Sequence, residues 1–238
     1  MVRAILTLDG EAIVRTNVIK YLGYMISENG NMTTHLKKRK CITMALISTL
    51  KSQGLLDENV NIKAKILVFK SFIRSTLQYG MENIKITDNI IKGLRRLEGN
   101  FIKSVVGIPN RCHTSELLQA MGILETKLYA TQMKLGFFKR LATNEYTHSL
   151  LKELFLNSYR GCFNHEINEL LGIGIDSTLE DALLSSDIKL VEINRTKKEI
   201  KDVSKIGERV KRIKELVESN SIEAREELYE ITKYEPGV

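Results

Sequence analysis

The chain has 238 residues, 43% hydrophobic and 27% charged, with two prolines, no tryptophan and three cysteines. That length supports one sizeable core or two small domains, and the composition is that of a helix-rich intracellular protein; Cys41, Cys112 and Cys162 are too few and too widely spaced for a disulfide framework. The formal net charge of +7 is uneven: +1 over residues 1–27, +9 over 28–111, +2 over 112–160 and −5 over 161–238, so a basic region, the footprint of a phosphate-backbone binder, sits in the second segment.

At the N-terminus, Ala4 to Leu8, the turn Asp9-Gly10 and Ala12 to Thr16 spell a short hairpin. The apolar run before Asp9 is too short for a signal peptide or a membrane span, and none later reaches spanning length, so no membrane partner is expected. The expected compartment is the nucleus or cytoplasm. Ile19 to Ile26 reads as one buried strand carrying Gly23 as a local bulge or a point of close approach, closed by turn residues Asn29-Gly30-Asn31. A first helix opens at Met32-Thr33-Thr34, with either threonine as its cap, an apolar stripe of Leu36, Met44, Ile47 and Leu50, and an end at Gly54. Lys37, Lys38, Arg39 and Lys40 fall in its first turns, where the macrodipole disfavours positive charge. These four fan around the axis, Lys38 pointing most nearly away from the stripe and Lys40 lying beside it.

Asp57 or Asn59 starts a second helix with a core stripe of Ile62, Ile66, Phe69, Ile73 and Leu77 and Gly80 as its C-cap. Lys63, Lys70 and Arg74 form a line along it, with no acid between Lys63 and Leu77; a solvated helix mixes signs to gain i,i+4 pairs, so a line of one sign points to an anionic partner. A third helix runs from Thr87-Asp88 to Val106, burying Ile90, Leu94, Leu97, Phe101 and Val105, with Lys92, Arg95, Arg96 and Lys103 opposite. Three such helices pack as a small bundle. After the break at Gly107-Ile108-Pro109 come helices over 114–122, 124–141 and 147–159, then a linker at Gly172–Ser177, a short helix, and a long charged helix from Ile188 towards Ser219. Val203, Ile206, Val210, Ile213 and Val217 are spaced like a coiled-coil seam, for packing back on the protein or on a helical partner. Glu223 to Glu230 suggests a last helix. Cys112-His113, His148 and Cys162-x-x-His165 have the ligand types of a zinc site but not its spacing, so no metal is expected.

The fold class expected is therefore mainly α: short N-terminal antiparallel strands, a helical bundle and further C-terminal helices. Tyr21-Leu22-Gly23, Lys37 to Lys40, Leu77-Gln78-Tyr79-Gly80-Met81-Glu82, Gly107-Ile108-Pro109, Thr114, Leu117-Leu118 and Gly122, in this order, resemble the end of a reverse transcriptase of the non-LTR (LINE-type) retrotransposons. The resemblance covers about residues 4–155. It implies an end of palm at 1–30, a thumb at 31–110 and post-thumb helices at 111–172; the charged helical tail at 173–238 departs from it. In that family two magnesium ions are held by paired aspartates before the Tyr-Leu-Gly strand. This chain has no Asp-Asp pair, so the expectation is a truncated polymerase without activity or cofactor of its own, magnesium serving only the full-length enzyme.

By the same resemblance Lys20, Tyr21, Leu22 and Gly23 form the grip on the primer end, plain core packing being the alternative for Tyr21 and Leu22. Lys37, Lys38, Arg39, Lys40, Lys63, Lys70, Arg74, Lys92, Arg95, Arg96 and Lys103 contact the backbone of RNA or an RNA–DNA duplex. The missing palm and fingers would be a further partner. The competing expectation is a helical interaction protein left by a decayed element, its basic face merely solvated.

Overall fold

The computed structural model describes residues 7–9, 11–12, 16–28, 33–156, 163–174, 176–202, 207–219 and 221–233. Several expectations lie outside them: Ala4, Gly10, the turn Asn29-Gly30-Asn31, Met32, Tyr159, Cys162, and Val203 and Ile206 of the heptad. Within them the chain is mainly helical, with short antiparallel strands before the helices. Strand β1, Thr7–Leu8, pairs with β2, Glu11–Ala12, around Asp9 at φ 53°. Strand β3, Val18–Tyr21, pairs with β4, Tyr24–Ser27, in the register Val18↔Ser27 to Tyr21↔Tyr24.

The stretch 19–26 is thus not one buried strand. Leu22 and Gly23, with φ of 45° and 80°, are the two central residues of a hairpin turn, and positive φ at both is the signature of the type I′ turn whose twist matches the flanking strands. Folding the stretch back on itself leaves Ile19, Tyr21, Leu22 and Ile26 exposed. Leucine in left-handed backbone costs about 1–2 kcal/mol, and at 76% exposure Leu22 recovers little of it by burial. Leu22→Asn, which restores the Asn-Gly preferred in such turns, is expected to raise the unfolding free energy by about 0.5–1 kcal/mol. A urea titration showing a loss would mean that Leu22 packs in the fold.

Helix α1 is Thr33–Ser52. Its buried face carries His35, Thr43 and Leu50, while Met44 is exposed; the apolar stripe expected through Met44 is rotated because the polar residues in its place are satisfied. Thr43 Oγ1 donates to the Arg39 carbonyl at 2.8 Å, and His35 is bonded at both ring nitrogens. Helix α2 spans 62–77, beginning as Ile62–Val68, passing through a π-helical stretch at Phe69–Arg74 and finishing as Ser75–Leu77. Its cap is Asn61, whose side chain accepts from the Lys63 amide at 2.8 Å, rather than Asp57 or Asn59. Ile62, Phe69, Ile73 and Leu77 are buried as the spacing indicates.

Helix α3, Asp88–Val106, is capped by the Thr87 side chain and stopped by Gly107 at φ 84°, as read from the sequence. Ile91, Leu94, Ile102, Val105 and Val106 are its buried apolar residues, with Glu98 and Lys103 beside them, whereas Ile90, Leu97 and Phe101 are half-buried against a cluster of Leu77, Met81, Ile84 and Tyr24. Then follow α4 (Ser115–Ala120), α5 (Thr126–Thr143), α6 (Glu145–Leu156), α7 (Phe163–Leu171), α8 (Leu179–Lys201), α9 (Glu208–Ser219) and α10 (Ile222–Thr232). Helix α8 is one element from a Thr178–Asp181 capping box onward, where a short helix and a separate long one were expected.

The largest core joins Leu50, Phe69, Ile73, Ile102 and Leu117 to Val210, Ile213, Leu216 and Leu228. Val210, Ile213 and Val217, the described part of the heptad, bury within this core, and the His113 amide bonds the Thr232 carbonyl at 2.7 Å. A second core, around Leu135, Phe138, Phe155 and Ile167, joins α5 to α8.

Candidate nucleic-acid interface

The hairpin, α1 and the end of α2 meet at one buried histidine. The Met25 amide donates to His35 Nδ1 at 3.2 Å, so Nε2 carries the hydrogen and donates to the Tyr79 carbonyl at 2.9 Å. The ring is neutral. Burial, and secondarily the charge of Arg39, hold its pKa below the ordinary 6.5 against the opposing effects of the Tyr79 bond and Glu82. The unfolded chain therefore takes up this proton first, and the stability His35 contributes is present above the ordinary value and lost as pH falls through and below it. Wild type is expected to lose more stability from about pH 7.5 to about pH 5.5 than His35→Gln does, measured by denaturant midpoints. Equal losses would show that His35 is not the titrating group.

Tyr79 completes the support of the hairpin tip. Its Oη donates to the Leu22 carbonyl at 2.6 Å, and a Cβ added at Gly23 would sit 3.5 Å from its ring. Lys20, Tyr21 and Leu22 are exposed at the tip of this braced turn and Gly23 is half-buried. The sequence placed Tyr79 within the Leu77–Glu82 stretch of the resemblance but assigned it no role at the hairpin; the signal for that role is a contact between residues far apart in the chain.

The expected phosphate-binding cations separate into two groups. Six are engaged within the protein. Arg39 Nε and Nη2 donate to the Thr76 carbonyl at 2.8 and 2.7 Å, near the end of α2, and its guanidinium lies 4.7 Å from the Tyr79 ring centroid. Arg74 is buried. Its Nε and Nη2 reach Glu98 at 2.9 and 3.4 Å, Nη2 also reaches the Leu124 carbonyl at 2.7 Å, and its guanidinium stacks 4.1 Å from the Tyr129 centroid. The π-helical turn explains the misplacement: an i→i+5 turn holds an extra residue, so Arg74 follows Ile73 onto the buried side instead of continuing the line of Lys63 and Lys70.

Lys103, also buried, donates to the Asn110 carbonyl at 2.9 Å, and burial holds its pKa below the usual lysine value. Lys70 donates to the carbonyls of Met121 and Gly122 at 3.3 and 2.9 Å. Arg95 bonds Ser115 Oγ at 2.6 Å and pairs with Glu125 at 3.5 Å; Lys63 pairs with Glu218 at 3.5 Å. These last two pairs are solvent-exposed and of little energetic weight.

The other group is exposed, and its members make no hydrogen bond or ion pair among the described residues: Lys37, Lys38, Lys40, Lys92 and Arg96. Two of them, Lys37 and Lys40, line one groove. The N-terminal halves of α1 and α3 enclose a groove of about 300 Å³ lined by Thr33, Leu36, Lys37, Lys40, Leu77, Asn89, Ile90, Gly93, Leu94 and Leu97, and at the far end Lys51 Nζ reaches Ser104 Oγ at 3.4 Å. The two helices thus run side by side in the same sense. On α3, Arg96 and Lys92 stand about 60° and about 100° round the axis from Gly93, on the exposed face outside the groove lining. No carboxylate lines the groove. Its floor is apolar and its α1 side is positive, a geometry that admits phosphates along α1 and apolar sugar and base surfaces beneath. Lys38 points away from it.

No cluster of three or more metal-ligating side chains occurs among the described residues, and none of their helices is long and apolar enough to cross a membrane. Comparison with protein-family models, with curated proteins and with solved structures gives no match.

Proposed function

We propose that the chain is the palm end and thumb of a non-LTR retrotransposon reverse transcriptase, holding the template–primer backbone without catalysing synthesis. The observation that carries this reading is the set of exposed, uncompensated cations formed by Lys37 and Lys40 at the α1–α3 groove with Lys92 and Arg96 on the outer face of α3, while Arg39, Lys70, Arg74 and Lys103 are engaged by the fold. A leucine kept exposed in strained backbone at the hairpin tip supports it, since such strain gathers at functional sites. Contacts of this kind position a duplex without reading its sequence. The four-fold variant Lys37→Gln, Lys40→Gln, Lys92→Gln, Arg96→Gln is expected to bind the hybrid far more weakly, measurably only at low salt, while keeping its thermal stability, whereas Lys63→Gln binds as wild type. Incorporation of nucleotides by the purified chain would contradict the non-catalytic part of the reading.

A second reading, a helical interaction protein, draws on another observation. Leu184, Ile188 and Val191 are exposed on α8 at i, i+4 and i+7, an apolar stripe suited to a partner helix. Self-association or partner capture that is indifferent to salt, with no hybrid binding, would favour it.

A further inference from the structure

A second concentration of positive charge lies away from the α1–α3 groove and shares no residue with it. The π-helical stretch of α2, the chain after α4, the first turn of α5 and the last turn of α8 surround a cleft of about 260 Å³ lined by Lys70, Arg74, Gly122, Leu124, Tyr129, Lys197, Ile200 and Lys201. Four cations line it and no carboxylate does. Arg74 is neutralised by Glu98 behind it, which leaves three ammonium groups uncompensated. Lys197 and Lys201, at i and i+4 on α8, make no ion pair among the described residues. Lys70 uses two of its hydrogens on the Met121 and Gly122 carbonyls and keeps one. Burial, followed by the charges of Lys201 and Arg74, holds both Lys70 and Lys197 below the usual lysine pKa. An adjoining groove shares Lys70, Gly122, Ile200 and Lys201 and adds Lys214, its one carboxylate being Glu218, which pairs with Lys63.

Like charges brought together in a half-buried cleft oppose folding unless an anion joins them. We propose that this cleft is a binding site for a compact anion carrying two or more phosphoryl groups, held by Lys70, Lys197 and Lys201. Three ammoniums exceed the charge of one phosphate, and the volume falls just below the roughly 300–1,000 Å³ of drug-sized ligand pockets, which suits a compact ion. The site goes beyond the nucleic-acid reading and does not depend on it.

Inorganic tripolyphosphate, added to the full chain at constant ionic strength, tests it by thermal denaturation. Wild type and the four-fold groove variant are expected to gain thermal stability saturably. Lys197→Gln/Lys201→Gln is expected to bind about tenfold more weakly or worse, as for loss of charge-assisted hydrogen bonds, and to melt above wild type without ligand because the repulsion is gone. Saturating RNA–DNA hybrid should leave the tripolyphosphate response in place. The proposal is overturned if wild type shows no response, if the double variant responds as wild type does or melts below it without ligand, or if the hybrid displaces tripolyphosphate, which would assign the cleft to a nucleic-acid backbone.

Discussion

Replacing Glu98 by alanine is expected to lower the unfolding free energy by about 3–5 kcal/mol, a large part of the about 5–15 kcal/mol of an ordinary domain. Glu98 is 1% exposed. Its Oε1 accepts from Arg74 Nε and from Gln78 Nε2 at 2.9 and 2.5 Å, and its Oε2 from Thr126 Oγ1 at 2.6 Å. One carboxylate thus ties α2 to α3 and to the start of α5. Removing it strands the Arg74 guanidinium in the interior with only the Leu124 carbonyl and the Tyr129 ring. The cost lies in the uncompensated charge rather than in the value of the pair, so Arg74→Met/Glu98→Leu should recover most of it. Urea denaturation followed by circular dichroism measures both. A loss under about 1 kcal/mol from Glu98→Ala would mean that Arg74 reaches solvent and can contact nucleic acid after all. The same result governs how binding variants are interpreted, because Arg74→Gln would weaken any function by unfolding.

The second large effect is at Gly80. It has φ 79°, and a Cβ built there would come 2.7 Å from Tyr24 Cδ2 and 3.1 Å from His35 Nε2. Both neighbours are held: Tyr24 by strand pairing with Tyr21, and His35 by its two ring hydrogen bonds. Gly80→Ala therefore combines left-handed backbone strain with overpacking, an expected loss of about 2–4 kcal/mol, and should unseat the hairpin from α1. Gly93→Ala is the internal control. It lies within α3 with nothing within 4 Å of a built Cβ, and is expected to add about 0.5–1 kcal/mol through helix propensity. Thermal denaturation of the two variants side by side settles the contrast; a Gly80→Ala protein as stable as wild type would show that the hairpin is free to move away.

What the sequence made legible was local. Thr87 and Gly107 mark the ends of α3 by capping chemistry carried in neighbouring residues, and the stripe from Ile62 to Leu77 follows from spacing alone. The Tyr21–Tyr24 hairpin was missed because Leu-Gly lacks the Asn-Gly or Asp-Gly that usually announces a type I′ turn. Which cations face solvent could not be read either. Lys70, Arg74 and Lys103 are withdrawn by carbonyls and a carboxylate supplied from elsewhere in the chain, and Arg74 also by a π-helical turn with no sequence mark. The sequence shows Lys197 and Lys201 only as part of a long charged helix from Ile188 towards Ser219, because Lys70, which makes them a cluster, is distant along the chain. Lys37 and Lys40, by contrast, stand in the first turns of α1, where the macrodipole already made positive charge conspicuous.

The most direct measurement is the salt dependence of RNA–DNA hybrid binding by the wild type and by the four-fold groove variant. If Lys37, Lys40, Lys92 and Arg96 each neutralise a phosphate, the slope of log K against log salt should be shallower in the variant by about 3–4, at roughly 0.9 per contact. An unchanged slope, or no hybrid binding by the wild type at low salt, would contradict the claim that this groove holds a nucleic-acid backbone.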